Sequence, residues 1–141
     1  MRSPVGDLTF FPMSERPQPE ELAGLRVTLD RLLYRRLPPE QGPNPHAFIY
    51  YISIFNGSDV AVTIKGRKWV VTGDDGNVRV LEGDGVVGKT PTIPPGGKFT
   101  YNSQHLINTP AAVAEGAYLG VDSTGRRVIT RIPKFAMTVP L

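Results

Sequence analysis

Residues 82–90 read EGDGVVGKT and carry two phosphate-binding patterns at once. Gly83, Gly85 and Gly88 stand as G-x-G-x-x-G, the spacing of dinucleotide-binding loops, while Gly83, Gly88, Lys89 and Thr90 stand as G-x-x-x-x-G-K-[ST], that of nucleoside-triphosphate loops. Both devices use the same physics. Glycines let backbone N–H groups crowd around an anion, and the N-terminus of the helix that follows adds its dipole. Here Pro91 follows Thr90 directly and disfavours helical backbone at it, and Pro94-Pro95-Gly96-Gly97 would end any helix within a turn. A dinucleotide site also needs an acidic residue about 20 positions on, and Asn102 to Asn108 contains neither Asp nor Glu. Tyr118-Leu119-Gly120-Val121-Asp122 imitates the magnesium-binding strand of a triphosphate site, but Asp122 more simply opens a turn into Gly125. Without the helix, Gly83, Gly85, Gly88 and Lys89 remain as a candidate concave nest of backbone donors for a weakly held phosphate, pyrophosphate or nucleotide.

Other chemistry is sparsely represented. The absence of cysteine excludes disulfides, thiolate metal sites and cysteine nucleophiles, and is compatible with a reducing cytoplasm. His46 and His105 are the only imidazoles, neither has a second ligand at metal spacing, and both read as surface or turn residues. No metal or other cofactor is expected. There is no G-x-S-x-G, and Glu82 and Asp84 share a face if extended but sit in a glycine loop too compliant to position paired carboxylates. Of 141 residues, 16 are basic and 13 acidic, so the net charge is only +3. Lys65/Arg67/Lys68 and Arg126/Arg127/Arg131/Lys134 could touch an acidic partner, but no aromatic RNA-binding signature accompanies them, and no nucleic-acid partner is expected. The apolar runs are far shorter than the roughly 20 residues of a membrane helix, so no membrane partner is expected either.

The elements that must position these residues are strands. AFIYYISIF, residues 47–55, is aromatic and β-branched on both faces, as suits a strand in the middle of a sandwich. Turn chemistry recurs at Asn56-Gly57-Ser58-Asp59, Asp75-Gly76-Asn77 and Asp122-Ser123-Thr124-Gly125, each read as a hairpin signal between short apolar segments. Trp69, the only tryptophan, reads as a large core residue. Gly83 to Gly97 reads as one long loop, of a length that is usually functional. Residues 20–36 are ambiguous, since their leucines fit a helix face while Leu25, Val27 and Leu29 alternate like a strand. Residues 1–19 show neither period and read as a loosely attached proline-rich arm with Phe10 and Phe11 as anchors, leaving 20–141 as one domain.

The run GRKWVVTGDDGNVRVLEGDGVVGKTPTIPPGGKFTYNSQ, residues 66–104, resembles the ApaG family, with Trp69, Asp75-Gly76, Gly83 to Gly88, Pro91, Pro95-Gly96 and Phe99/Tyr101 in the family's places. Gly116, Tyr118, Asp122, Gly125, Ile132, Pro133 and Phe135 match its closing segment, so the likeness spans about residues 24–140. It implies an all-β, immunoglobulin-like or fibronectin type III-like antiparallel β-sandwich, in which Leu25 to Tyr34 is the first strand and Glu20 to Gly24 at most a helical turn. It also implies no established catalysis, a link of the bacterial members to magnesium and cobalt handling, and a protein-binding role like that of related domains in F-box proteins. Lys68 stands where a histidine is usual, Thr90 where a glutamine is common, and Asn102-Ser103-Gln104 where Thr-Ser-Gly is usual. The expectation is a cytoplasmic, non-enzymatic sandwich that binds another protein through the glycine loop and its strand edges. The alternative is an anion binder at Gly83, Gly85, Gly88 and Lys89.

Overall fold

The computed structural model describes residues 18–141, so the arm expected at 1–19 lies almost wholly outside the described residues. Nine strands follow in order: β1 (Glu20–Glu21), β2 (Leu25–Arg36), β3 (His46–Asn56), β4 (Val62–Gly73), β5 (Val78–Asp84), β6 (Thr92–Ile93), β7 (Lys98–Ile107), β8 (Ala111–Asp122) and β9 (Arg127–Thr138). One sheet has the order β1-β9-β8-β4-β5, with β6 also on β4; the other has the order β2-β3-β7. All pairings are antiparallel except the short parallel one of β1 on β9. This is the expected β-sandwich.

Strand alternation explains which residues face inward. Phe48, Tyr50, Ile52 and Ile54 of β3 meet Trp69 and Val71 of β4, Tyr118 of β8, and Ile132, Phe135 and Met137 of β9, all buried. The opposite face of β3 is also apolar, as the sequence indicated, and cations cover it: Arg26 lies 4.4 Å and Lys98 5.6 Å from the Phe55 ring centre, and Arg31 lies 5.8 Å from that of Tyr51. Trp69 is 2% exposed and packs among Tyr50, His105 and Phe135, tilted to the first and edge-on to the other two, with ring centres 4.9, 4.5 and 6.0 Å away. The residue opposite it on β8 is Gly116, where a Cβ would stand 2.2 Å from the Lys68 carbonyl oxygen and 3.3 Å from the Ile132 side chain.

Two local expectations are corrected and one ambiguity is resolved. Glu20 to Gly24 forms no helical turn: Glu20 and Glu21 pair with Val128 and Ile129 of β9, and the chain then turns at Gly24 with φ +90°. The ambiguity among the leucines resolves as the resemblance implied, as a strand: β2 lies against β3 over its whole length with a bulge between Leu29 and Arg31. Asn56-Gly57-Ser58-Asp59 closes no hairpin, because β3 and β4 belong to different sheets.

That inter-sheet corner is held by the buried Asn56 side chain. Its Nδ2 donates to the carbonyls of Val60 (2.8 Å) and Ile93 (2.9 Å), and its Oδ1 accepts from the Ser58 amide (3.0 Å) and hydroxyl (2.6 Å). Its backbone exchanges bonds with Gly96 and Gly97. One amide thus ties β3, the corner, β6 and the approach to β7. Asn56→Ala strands several buried polar groups and should lower unfolding free energy by about 2–4 kcal/mol. Urea unfolding checks this, and a loss below about 0.5 kcal/mol would show the corner to be held by other contacts.

Candidate functional site

The two sheets meet closely along β2 and β9, where the Thr130 hydroxyl donates to the Leu25 carbonyl at 3.2 Å. On the other side the edge strands β5 and β7 are not hydrogen-bonded to one another, and Arg79 of β5 bridges them by donating to the Leu106 carbonyl at 2.7 Å. The glycine segment sits on this open side. It is shorter than the sequence indicated: β5 runs on to Asp84 and β6 begins at Thr92, so the expected loop of residues 83–97 contains strand at both ends of its glycine motif.

Each motif glycine answers a distinct steric demand. Arg67 lies on the same face of β4 as Trp69 and reaches past β5, its Nη1 donating to the carbonyls of Asp84 (2.8 Å) and Gly85 (3.1 Å). A Cβ at Gly83 would fall 2.7 Å from that guanidinium. Gly85 has φ +60°, and a Cβ there would lie 2.1 Å from the Lys89 carbonyl oxygen. Gly88, with φ +80°, and Val87, with φ +44°, are the two central residues of a tight turn closed by Val86 N–H to Lys89 O (2.7 Å) and Lys89 N–H to Val86 O (3.0 Å). Positive φ at both central positions matches the hairpin turn whose twist suits flanking strands. Val87 is the one non-glycine residue with positive φ among the described residues.

The structure therefore brings Gly83, Gly85, Gly88 and Lys89 into one hairpin at the sheet edge and follows it with the strand β6. The amides of Gly85, Val86 and Lys89 are engaged by the carbonyls of Lys65, Lys89 and Val86. Those of Val87 and Gly88 at the tip have no backbone acceptor among the described residues, and the Lys89 side chain is exposed beside them.

Around this edge large apolar side chains are exposed among the charged Arg79, Glu82, Asp84 and Lys89. Val78, Val80 and Leu81 on β5 are 58%, 53% and 41% exposed, and Val87 at the turn is 48% exposed. Beneath it lies a polar cluster that the sequence did not reveal. The hydroxyls of Tyr101 and Tyr118 are hydrogen-bonded to each other, with Tyr50 at ring-centre distance 6.2 Å from Tyr101. Burial, above all, pushes all three phenols above their ordinary pKa. They stay protonated.

The basic clusters do not form one patch. Arg67 turns inward from Lys65 and Lys68; Arg126 binds Asp122 (3.1 Å) and approaches Glu20 (3.6 Å), and Arg131 approaches Glu21 (4.0 Å). Asp122 closes the β8–β9 turn as its sequence position indicated, accepting from Thr124 and Arg126; hydrogen bonding, first of all from the Thr124 hydroxyl, lowers its pKa to about 2. Glu82 and Asp84 do share a face of β5, and both are exposed.

Both histidines were misplaced by sequence reasoning. His46 begins β3, and its Nδ1 is 2.8 Å from the Tyr34 hydroxyl. His105 is a core residue of β7, 3% exposed, because the strand continues past the point where alternation faded. Its Nε2 and the Nε1 of Trp69 are buried without hydrogen-bond partners among the described residues. Desolvation, assisted by the charge of Arg79, lowers the His105 pKa from 6.5 to about 4.

A family model described as the ApaG domain matches residues 38–122. The chain belongs to the ApaG family. The Protein ApaG of Azorhizobium caulinodans is 37% identical over 110 residues, covering 78% of this chain and 83% of that protein. The Protein ApaG of Shewanella pealeana is 41% identical over 95 residues, covering 67% of this chain and 75% of its own. The X-ray structure of Northeast Structural Genomics Consortium target SoR45 superposes with a TM-score of 0.75 at 29% identity, covering 84% of this chain and 88% of that one. Among the described residues, this ApaG chain groups no three His, Cys, Asp or Glu side chains as a metal centre would. None of its described helices is long and apolar enough to cross a membrane.

Two expectations follow. Gly85→Ala should destabilise by about 2 kcal/mol or more, through both the clash and the positive φ, whereas Lys89→Ala should stay within about 0.5 kcal/mol of wild type in the same urea titration. Equal effects would mean the glycine is not sterically required. For His105 the unfolded chain takes up a proton below pH 6.5 that the folded chain refuses until about pH 4. Stability should therefore fall as pH falls across that window, at a limiting slope of about 1.4 kcal/mol per pH unit, and His105→Phe should flatten it. An unchanged slope in the variant would place the sensitivity elsewhere.

Proposed function

We propose that this ApaG protein is a non-catalytic, cytoplasmic module that binds another protein along β5 and the hairpin at residues 85–89. The observation that carries this reading is the distribution of exposed large apolar side chains. Four of the five among the described residues, Val78, Val80, Leu81 and Val87, lie on this edge, and the fifth is the terminal Leu141. An edge strand presents unpaired backbone N–H and C=O groups and is normally guarded by lysine, proline or a bulge. β5, VRVLEGD, has no lysine, proline or bulge, and its charged Arg79, Glu82 and Asp84 leave Val78, Val80 and Leu81 exposed among them. By contrast, the edge strand β2 carries a bulge and four arginines. An apolar, regular edge suits a partner segment that adds a strand.

A second reading rests on the hairpin tip alone. The amides of Val87 and Gly88 and the Lys89 ammonium are available to an acceptor, which suits weak binding of phosphate, pyrophosphate or a nucleotide.

Photo-crosslinking in cells tests the first reading, with the reactive side chain placed at Val80 and, as control, at Arg35 on the far sheet. Adducts of defined mass should form from position 80, be lost in Val78→Lys/Val80→Lys, and be absent from position 35. The same adducts from both positions, or none from 80, would sink it. An amide titration with pyrophosphate and ATP, with and without Mg²⁺, tests the second. Saturable shifts should centre on Val87 to Lys89, and silence there removes the reading.

A further inference from the structure

At the end of β5 farthest from the hairpin, the open side of the sandwich contains a crevice of about 230 Å³. Its inner wall is apolar: Val71 of β4, Ile107 of β7 and Ala112 of β8 line it, each 4% exposed. Arg79, Asn44 and Asn108 stand at its polar rim. The volume corresponds to the liquid share of roughly seven or eight water molecules and falls below the roughly 300–1,000 Å³ of sites for drug-sized ligands. Only a small molecule fits.

The rim chemistry selects among small molecules. One Arg79 nitrogen is tethered to the Leu106 carbonyl at 2.7 Å. That bond holds one nitrogen toward the crevice rim and leaves most of the five N–H donors for another acceptor. The side-chain amides of Asn44 and Asn108 have no hydrogen-bond partners among the described residues and add further donors. The one acidic group in the wall, Asp75, is already bonded within its turn, Oδ1 to the Asn77 amide (3.0 Å) and Oδ2 to the Asn77 side chain (2.9 Å). Its charge still disfavours a dianion.

We propose that this crevice binds a compact aliphatic monocarboxylate, with the carboxylate on Arg79 and the short chain on Val71, Ile107 and Ala112. A planar guanidinium fork matches a planar carboxylate, and the apolar wall gives the chain a surface that bare phosphate cannot use. The proposal does not rest on the protein-binding reading, and Val78 and Arg79 of β5 border both surfaces.

The test is an NMR titration of the full chain with 3-methylbutanoate, its neutral isostere 3-methylbutanamide, and inorganic phosphate. Saturable shifts at Gly73, Asn77, Arg79 and Asn108 are expected with the carboxylate. Binding should weaken by about tenfold or more with the neutral amide and in Arg79→Gln, in line with loss of a charge-assisted pair. Phosphate should give no saturable shifts there. Arg79 is exposed, and an unchanged spectrum away from the crevice would establish that the variant is folded. Absence of saturation by the carboxylate, or equal binding of carboxylate and neutral amide to the wild type, would overturn the proposal without reference to any variant. Equal binding by phosphate, or by Arg79→Gln, would overturn it as well.

Discussion

The sandwich depends on how an indole is accommodated between two sheets. Trp69 can fill the space facing Tyr50, His105 and Phe135 only because the chain beside it comes very close, with Gly116 in near contact with the Lys68 carbonyl. A side chain at 116 would force β8 and β4 apart at the level of the indole. Two pairings shift register near this point: that of β4 with β8 between Ile64 and Gly66, and that of β8 with β9 opposite Ala114 and Gly116, where β9 has the extra residue. Such bulges re-aim side chains, and the one on β4 brings Arg67 and Trp69 to the inner face with Tyr118.

That placement shapes the glycine edge. Since Arg67 points inward, its guanidinium must leave the core past β5, and it does so over Gly83 to hold the carbonyls of Asp84 and Gly85. The hairpin is thus fastened from inside by an arginine whose sequence neighbours made it look like part of a surface patch. A motif that reads as a phosphate loop is accounted for by packing: one glycine for the guanidinium, one for a carbonyl, one for a turn.

The core also contains a chemical tension. His105 and Trp69 each bury a ring nitrogen without a hydrogen-bond partner, at a cost of about 1–3 kcal/mol for such a group. Close ring packing offsets part of this, and burial favours the uncharged imidazole. Both rings lie toward the open side, between the tyrosine cluster and the crevice at Arg79. The closed side, along β2 and β9, is guarded by charges and a bulge. Asymmetry between the two sides separates scaffold from surface available for recognition.

Much of this was determined by sequence alone. The β class followed from AFIYYISIF and the recurring turns, Asp122 and Trp69 took the roles their positions indicated, and Pro91 with Pro94 and Pro95 excluded a helix after the glycines. Those signals are local, because backbone sterics, turn preference and hydrophobic alternation act within a few residues. What tertiary structure decided was which neighbour each strand meets. Leucines spaced for a helix became β2 because β3 offered a full-length partner. Asn56 became an inter-sheet corner because its amide finds Ile93, 37 residues away. His105 became a core residue because Trp69 and Phe135 surround it, and Arg67 left its basic cluster because a bulge turned it inward. Pairing across long sequence separations sets these outcomes, and no window of the sequence contains both partners.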